Sequence, residues 1–221
     1  MQYHIDPDLE KYGARVRSQN DEDGILTYLF SVIPGNVFVE IGVGPGEGGL
    51  LEGNCVRLRE QGWVGAMFDL RAHCDVVAAH VTPDNVNALI MGCGGEYTFG
   101  FDLLSIDIDG QDLWIWEAVL FRPFVVVIEY NAGLGGQVSV SVPRNDVFRW
   151  DGTRHFGASL RALEAIGVRK GYVLVYANGV NAFFVWKDIL ANPEDFQYRE
   201  LYRRGPEYPE CQLERPWVQI Q

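Results

Sequence analysis

The chain has 221 residues, 48% of them hydrophobic and 22% charged, with a formal net charge of −12. That length gives one domain of moderate size, with enough apolar residues for a sheet buried under helices. The negative charge argues against a nucleic acid or an anionic membrane as partner, since the phosphates of either would be repelled.

No apolar run approaches the length of a membrane span, and the residues after Met1 do not read as a signal peptide. The four cysteines, Cys55, Cys74, Cys93 and Cys211, lack Cys-x-x-Cys spacing. They read as reduced thiols of a cytoplasmic protein rather than as a disulfide framework or a zinc site. In the opening segment, Asp21, Glu22 and Asp23 stand just before Ile25, Leu26, Leu29 and Phe30. Acids there suit a helix N-terminus, whose N–H groups favour negative charge. Ser18 and Gln19, immediately before them, are expected to face a bound ligand.

Val37 to Gly46 is an apolar run around one acid, Glu40, that collapses into a glycine-spaced loop. It predicts a buried parallel strand and then a sharp turn. Gly42, Gly44 and Gly46 would let the backbone approach a ligand with no Cβ in the way. A short helix is predicted over 54–61, and a second strand runs to Asp69; an acid at this place in dinucleotide-like folds accepts hydrogen bonds from ribose hydroxyls, and it would also be ordinary as a strand-end turn residue. A third, weaker element is predicted around 80–85, with Asn85 opening a helix. The fourth strand, in 101–110, ends in Asp107 and Asp109, and helical spacing of Trp114, Ile115, Trp116, Val119 and Leu120 follows. Phe124 to Ile128 is the fifth strand and ends at Glu129-Tyr130-Asn131. Strands alternating with helices predict a parallel sheet covered on both faces. Near the end, two apolar runs flank Asn178-Gly179, a strong hairpin signal. The tail from Asn192 lacks periodicity and is expected to be an arm over the surface or across the boundary of a homo-oligomer.

Ligands of open parallel sheets bind beyond the carboxyl ends of the strands. Glu40, Asp69, Asp107, Asp109, Glu129 and Asn131 should therefore share one rim. Asp107, Asp109, Glu129 and Asn131 form an oxygen-rich set that suits a hard cation such as magnesium or manganese. The alternative is that Asp107 and Asp109 make turn hydrogen bonds while Glu129 orients a backbone or a substrate amine. The long connection from Gly133 to Ser159 is expected to be functional. In it, Trp150 could wall a pocket and Asp151 or His155 could remove a proton, with His155 the better candidate.

The pattern Glu-x-Gly-x-Gly-x-Gly resembles the first signature of class I methyltransferases, which use S-adenosylmethionine (SAM). A parallel sheet closed by an antiparallel hairpin is also what that class shows. The acids after the fourth and fifth strands look like those of catechol O-methyltransferase and its relatives. The segments Ser-Gln-x-Asp-Glu-Asp-Gly-Ile, Phe-Val-Glu-Ile-Gly, Leu-Leu-Ser-Ile-Asp-Ile-Asp-Gly, Val-Ile-Glu-Tyr-Asn, Phe-Gly-Ala-Ser-Leu and Asn-Ala-Phe-Phe-Val resemble a bacterial group related to FkbM-type methyltransferases. That family's Asp-x-Glu-Gly motif is matched by Asp107-Ile108-Asp109-Gly110, with Asp109 in place of Glu. The resemblance implies an α/β, Rossmann-like class I methyltransferase fold: a seven-stranded, mostly parallel sheet with a terminal antiparallel hairpin. Around it, residues 1–36 would form a helical cap, 37–190 the SAM-binding domain and 191–221 the C-terminal arm. SAM would be held by Glu40, Gly42, Gly44, Gly46 and Asp69, with Ser18 and Asn85. The glycine-rich stretch 46–53 would lengthen the loop over it. The implied activity is O-methylation of a small-molecule acceptor, such as a natural product or sugar, with Asp107, His155 and Asp151 as catalytic candidates. Two rivals remain: an enzyme that binds SAM for metal-assisted cyclisation or isomerisation, and a non-catalytic SAM-binding interaction module.

Overall fold

The computed structural model describes residues 1–46, 51–72, 74–94, 100–211 and 214–221. Its strands are β1 (Val37–Ile41), β2 (Gly44–Pro45), β3 (Leu51–Glu52), β4 (Val64–Asp69), β5 (Val77–Ala78), β6 (Leu103–Ile106), β7 (Val125–Glu129), β8 (Val140–Ser141), β9 (Tyr172–Ala177), β10 (Asn181–Trp186) and β11 (Val218–Gln219). Every residue of β1, β6 and β7 is buried, as parallel strands covered on both faces require. These strands occupy the middle of a seven-stranded sheet of order β5-β4-β1-β6-β7-β10-β9. All pairs are parallel except those of β10, which runs antiparallel to both β7 and β9. This is the Rossmann-like, mostly parallel seven-stranded sheet with a terminal antiparallel hairpin that the resemblance implies.

The helices are α1 (Glu22–Val32), α2 (Val56–Glu60), α3 (Val86–Gly92), α4 (Asp112–Ala118), α5 (Leu160–Lys170) and α6 (Tyr198–Leu201). Trp116 of α4 packs on Phe184 with ring centroids 4.7 Å apart and meets Tyr172 at 5.8 Å, joining helix and hairpin in one core. Ser159 caps α5 by accepting from Ala162 N at 3.2 Å. Among the described residues, no helix is long and apolar enough to cross a membrane.

One expectation shifts. The third element lies earlier than the 80–85 window: β5 has two residues, and 82–85 is a turn. Asn85 closes that turn by accepting from Thr82 N (2.7 Å) and donating to His80 O (2.9 Å), one step before α3 begins. The C-terminal arm folds onto its own chain, with β11 pairing antiparallel to β8 and Ile220 N donating to Ser139 O at 2.9 Å.

The acids at the start of α1 do more than complement a helix end. One oxygen of Asp23 accepts from Val16 N, Arg17 N, Ser18 N and Ser18 Oγ at 2.6–2.9 Å, fixing the loop that enters the helix. Asp23→Ala leaves those donors, two of them buried and two half-buried, without an acceptor. It should lower unfolding free energy in urea titration by roughly 3 kcal/mol, and an unchanged midpoint would contradict the clamp.

Candidate functional site

At the end of β1 the chain turns at once. Gly42 N donates to Phe68 O at 2.8 Å, and the Asp107 carbonyl closes on the other side. Gly42 has φ 93°, and a Cβ there would lie 1.6 Å from Asp107 O. No L side chain fits, so the glycine is required by the contact as well as by the dihedral.

The turn after β6 is built by another buried acid. Asp112, at the first position of α4, accepts from Ile108 N (2.9 Å) and Gly110 N (2.8 Å). Asp109 between them takes a left-handed φ of 57°. The Phe148 ring lies so close over Gly110 that a Cβ would sit 2.4 Å from it. Gln111 extends the brace, accepting from Asn145 N and donating to Pro143 O.

These turns border a cavity of about 870 Å³ beyond the carboxyl ends of the parallel strands, within the range of small-molecule sites. Gly42, Gly44, Asp69, Asp107, Asp109 and Glu129 line it, with Gln19, Phe148, Trp150, Asn181 and Tyr208. Asp69 stands at the end of β4, where its Oδ1 accepts from Arg71 N at 3.0 Å. Glu129 is 7% exposed and its Oε2 has no partner. Burial, and then the negative charges of Asp107, Asp112 and Asp109, hold its pKa well above the usual carboxylate range. Asp107 is raised in the same way by burial and its acidic neighbours, and Asp109 by burial. At the mouth, exposed Arg15 and Arg149 also line the cavity, and Arg149 Nη1 lies 3.4 Å from His80 Nε2.

Several expected site residues sit elsewhere. Glu40 is 1% exposed and absent from the cavity wall; its Oε1 accepts from Cys55 N at 3.1 Å, bracing the start of α2. Ser18 is spent on Asp23, and Asn85 on its own turn. Gly46 is outside the wall, and residues 47–50 of the glycine-rich stretch lie outside the described residues. Asn131 does not point a free amide into the site. Its Oδ1 accepts from Gly133 N (3.1 Å) while its Nδ2 donates to Arg154 O (2.8 Å) and Phe156 O (2.9 Å). Asp151 accepts from Thr153 and from Arg215, outside the cavity wall. Hydrogen bonds from Thr153, with the Arg215 guanidinium, draw its pKa down to about 2, which makes it a poor base. His155, 6% exposed, places Nε2 3.1 Å from Pro216 O and its ring 4.7 Å from Trp217. It fastens the tail and does not reach the cavity.

Asn181 and Tyr208 were missed. Because β10 is antiparallel, its first residue returns to the rim where the parallel strands end, and Asn181 pairs with Glu129. The Asn-Gly turn two residues earlier was the available signal. Tyr208 comes from the tail, and no local pattern announces it. Its ring is set edge-on to Trp150 at 5.0 Å and to Phe156 at 5.2 Å.

The four residues expected to hold a metal do not assemble as a set. Asn131 is committed elsewhere, and among the described residues no three His, Cys, Asp or Glu side chains form a group that could hold an ion.

No family model and no curated protein matches the chain. Two solved structures similar to it are of MycE methyltransferase from the mycinamycin biosynthetic pathway. One is in complex with Mg and SAH, the other with Mg, SAH and mycinamycin VI. Identity is 18% for both, over 69% of this chain and 45% of theirs, with TM-scores of 0.43 and 0.41. The chain thus spans less than half the length of these structures.

Burial pushes Glu40 from its ordinary 4.5 up to about 8. Between those values the folded chain keeps a proton that the unfolded chain releases, so this residue makes stability fall as pH rises through that window. Glu40→Gln should flatten the decline in urea midpoint between pH 5 and 8. An identical slope in the variant would show that the carboxyl is ionised throughout.

Proposed function

We propose that the chain is a SAM-dependent methyltransferase that O-methylates a small molecule. The observation that supports this reading most is a single cavity joining three features: the Gly42 turn, the Asp69 carboxylate and the acids after β6 and β7. An open parallel sheet takes its ligand at this edge. In this reading the methionine part of SAM lies along Gly42 and Gly44, and Asp69 accepts hydrogen bonds from the ribose hydroxyls.

The acceptor lies against Phe148 and Trp150, which exclude water from the reacting atoms. Methyl transfer is an in-line displacement: the acceptor oxygen forms a bond to the methyl carbon as the carbon–sulfur bond breaks. The electron pair stays on sulfur and neutralises the sulfonium. The hydroxyl proton passes to Asp107, whose raised pKa suits a carboxylate acting as general base. Alignment in a dry pocket supplies most of the remaining rate enhancement.

A magnesium ion would supply Lewis-acid activation of the hydroxyl, and the expected donors that line the cavity are Asp107, Asp109 and Glu129. Among the described residues they do not gather into a group that could hold an ion, and Asn131 is committed elsewhere, so no part of the reaction is assigned to magnesium. The four free cysteines are in keeping with a reducing, cytoplasmic setting. Membership of the FkbM-like group, and an acceptor that is a sugar or natural product, rest on the quoted sequence segments.

Titration calorimetry should detect SAM and S-adenosylhomocysteine (SAH), and Asp69→Ala should weaken both by roughly 1.5–3 kcal/mol, the loss of hydrogen bonds to a charged group. Asp107→Asn should keep that affinity and lose turnover by roughly 100-fold. Binding of NAD in place of SAM, or an unchanged Kd in Asp69→Ala, would sink the cofactor assignment. Tight SAM binding with no methylated product from a broad acceptor panel would favour a non-catalytic module.

A further inference from the structure

The geometry points to a binding site for a primary ammonium group at the floor of the cavity, formed by Glu129 and Asn181. It rests on the methyltransferase reading only in naming the acceptor as an amino alcohol or amino sugar methylated on oxygen.

Two buried oxygens there lack partners, Glu129 Oε2 and Asn181 Oδ1, in side chains that are 7% and 1% exposed. The orientation of the Asn181 amide follows from its other end. Nδ2 donates to Glu22 Oε1 at 3.1 Å, so the oxygen must be the atom turned the other way. Glu22 is itself held by Asn20 N (2.9 Å) and Asn178 Nδ2 (2.7 Å), which fixes the whole arrangement from α1.

Glu129 and Asn181 are direct cross-strand partners of β7 and β10, and both line the cavity. Side chains so paired leave the same face with Cβ atoms about 5 Å apart, close enough for one nitrogen to meet both oxygens. With Glu129 ionised, the state a bound cation favours, both unpartnered atoms accept and neither donates. A neutral hydroxyl brings one donor, whereas an ammonium brings three and a charge that offsets the crowded carboxylates. A metal ion is the poorer fit because no trio of acidic, histidine or cysteine side chains gathers among the described residues. An amine held as ammonium has no lone pair to attack the methyl carbon, which leaves the oxygen as the nucleophile. The nearby cation also helps keep Asp107 ionised.

The test uses the full chain, with and without saturating SAH, and paired probes: methylammonium against methanol, ethanolamine against ethylene glycol, and glucosamine against glucose. At neutral pH and millimolar concentration the amines should raise the melting temperature through preferential binding to the native state, and their hydroxyl counterparts should not. Glu129→Gln should abolish the amine-specific shift, and Asn181→Ser should reduce it several-fold. Circular dichroism checks that both variants fold, and a twofold limit on the change in SAH affinity checks the cofactor site separately. Amine-specific shifts without SAH binding would keep the ammonium site and overturn the methyltransferase reading. Three results would overturn the ammonium site: equal shifts from amines and alcohols, no shift from any amine, or stabilisation by magnesium alone that Glu129→Gln removes.

Discussion

A carboxylate buried at the edge of a sheet must collect N–H donors or carry a large desolvation penalty. Much of the loop structure around this cavity follows from that requirement. Asp23 gathers four donors and thereby shapes residues 16–18. Asp112 gathers two and shapes the turn after β6. Glu22 takes donors from Asn20, Asn178 and Asn181, tying the first helix to the terminal hairpin. These acids organise backbone, although Asp23 does so through one oxygen and its other oxygen has no partner.

Glu129 and Asp107 stand apart from that group. They sit at the carboxyl ends of neighbouring strands, burial and neighbouring acids raise the pKa of both, and one oxygen of Glu129 has no partner at all. The fold holds them in place through elements it stabilises elsewhere: the all-buried strands β6 and β7 and the Asp112 turn. A group kept unsatisfied by a well-ordered frame is the expected sign of a ligand-binding position. The neighbouring Asn181 oxygen extends the same pattern across the strand pair. An unpartnered oxygen does not by itself mark the site, since Asp23 and Glu40 each keep one as well; Glu129 and Asn181 differ in that they also line the cavity.

The C-terminal segment belongs to the same design. His155 and Asp151 attach it at Pro216 and Arg215, Arg154 N bonds Pro209 O, and β11 pairs with β8. These attachments carry Tyr208 into the cavity wall. Residues 151–155 of the long connection after β7 are thus a docking track for the tail, while Phe148, Arg149 and Trp150 line the cavity.

The alternation of strands and helices, the closing hairpin and the positions of Gly42, Asp69, Asp107 and Glu129 on one rim were legible in the sequence. Apolar runs, turn residues and glycine spacing act locally, and parallel strands send their carboxyl ends to one edge whatever the details. The partners of each polar side chain were not legible. Asn131 and Asn181 are the same residue type at the same rim. Asn131 is consumed by carbonyls of residues 154 and 156, while Asn181 keeps a bare oxygen because Glu22 claims its nitrogen. Glu40, the acid of the glycine motif, turned inward to Cys55, and His155 turned to the tail. Those outcomes depend on contacts between residues up to 159 positions apart in the chain. Such hydrogen bonds exist only once the layers have packed, and for that reason tertiary structure alone chose which polar groups became site and which became scaffold.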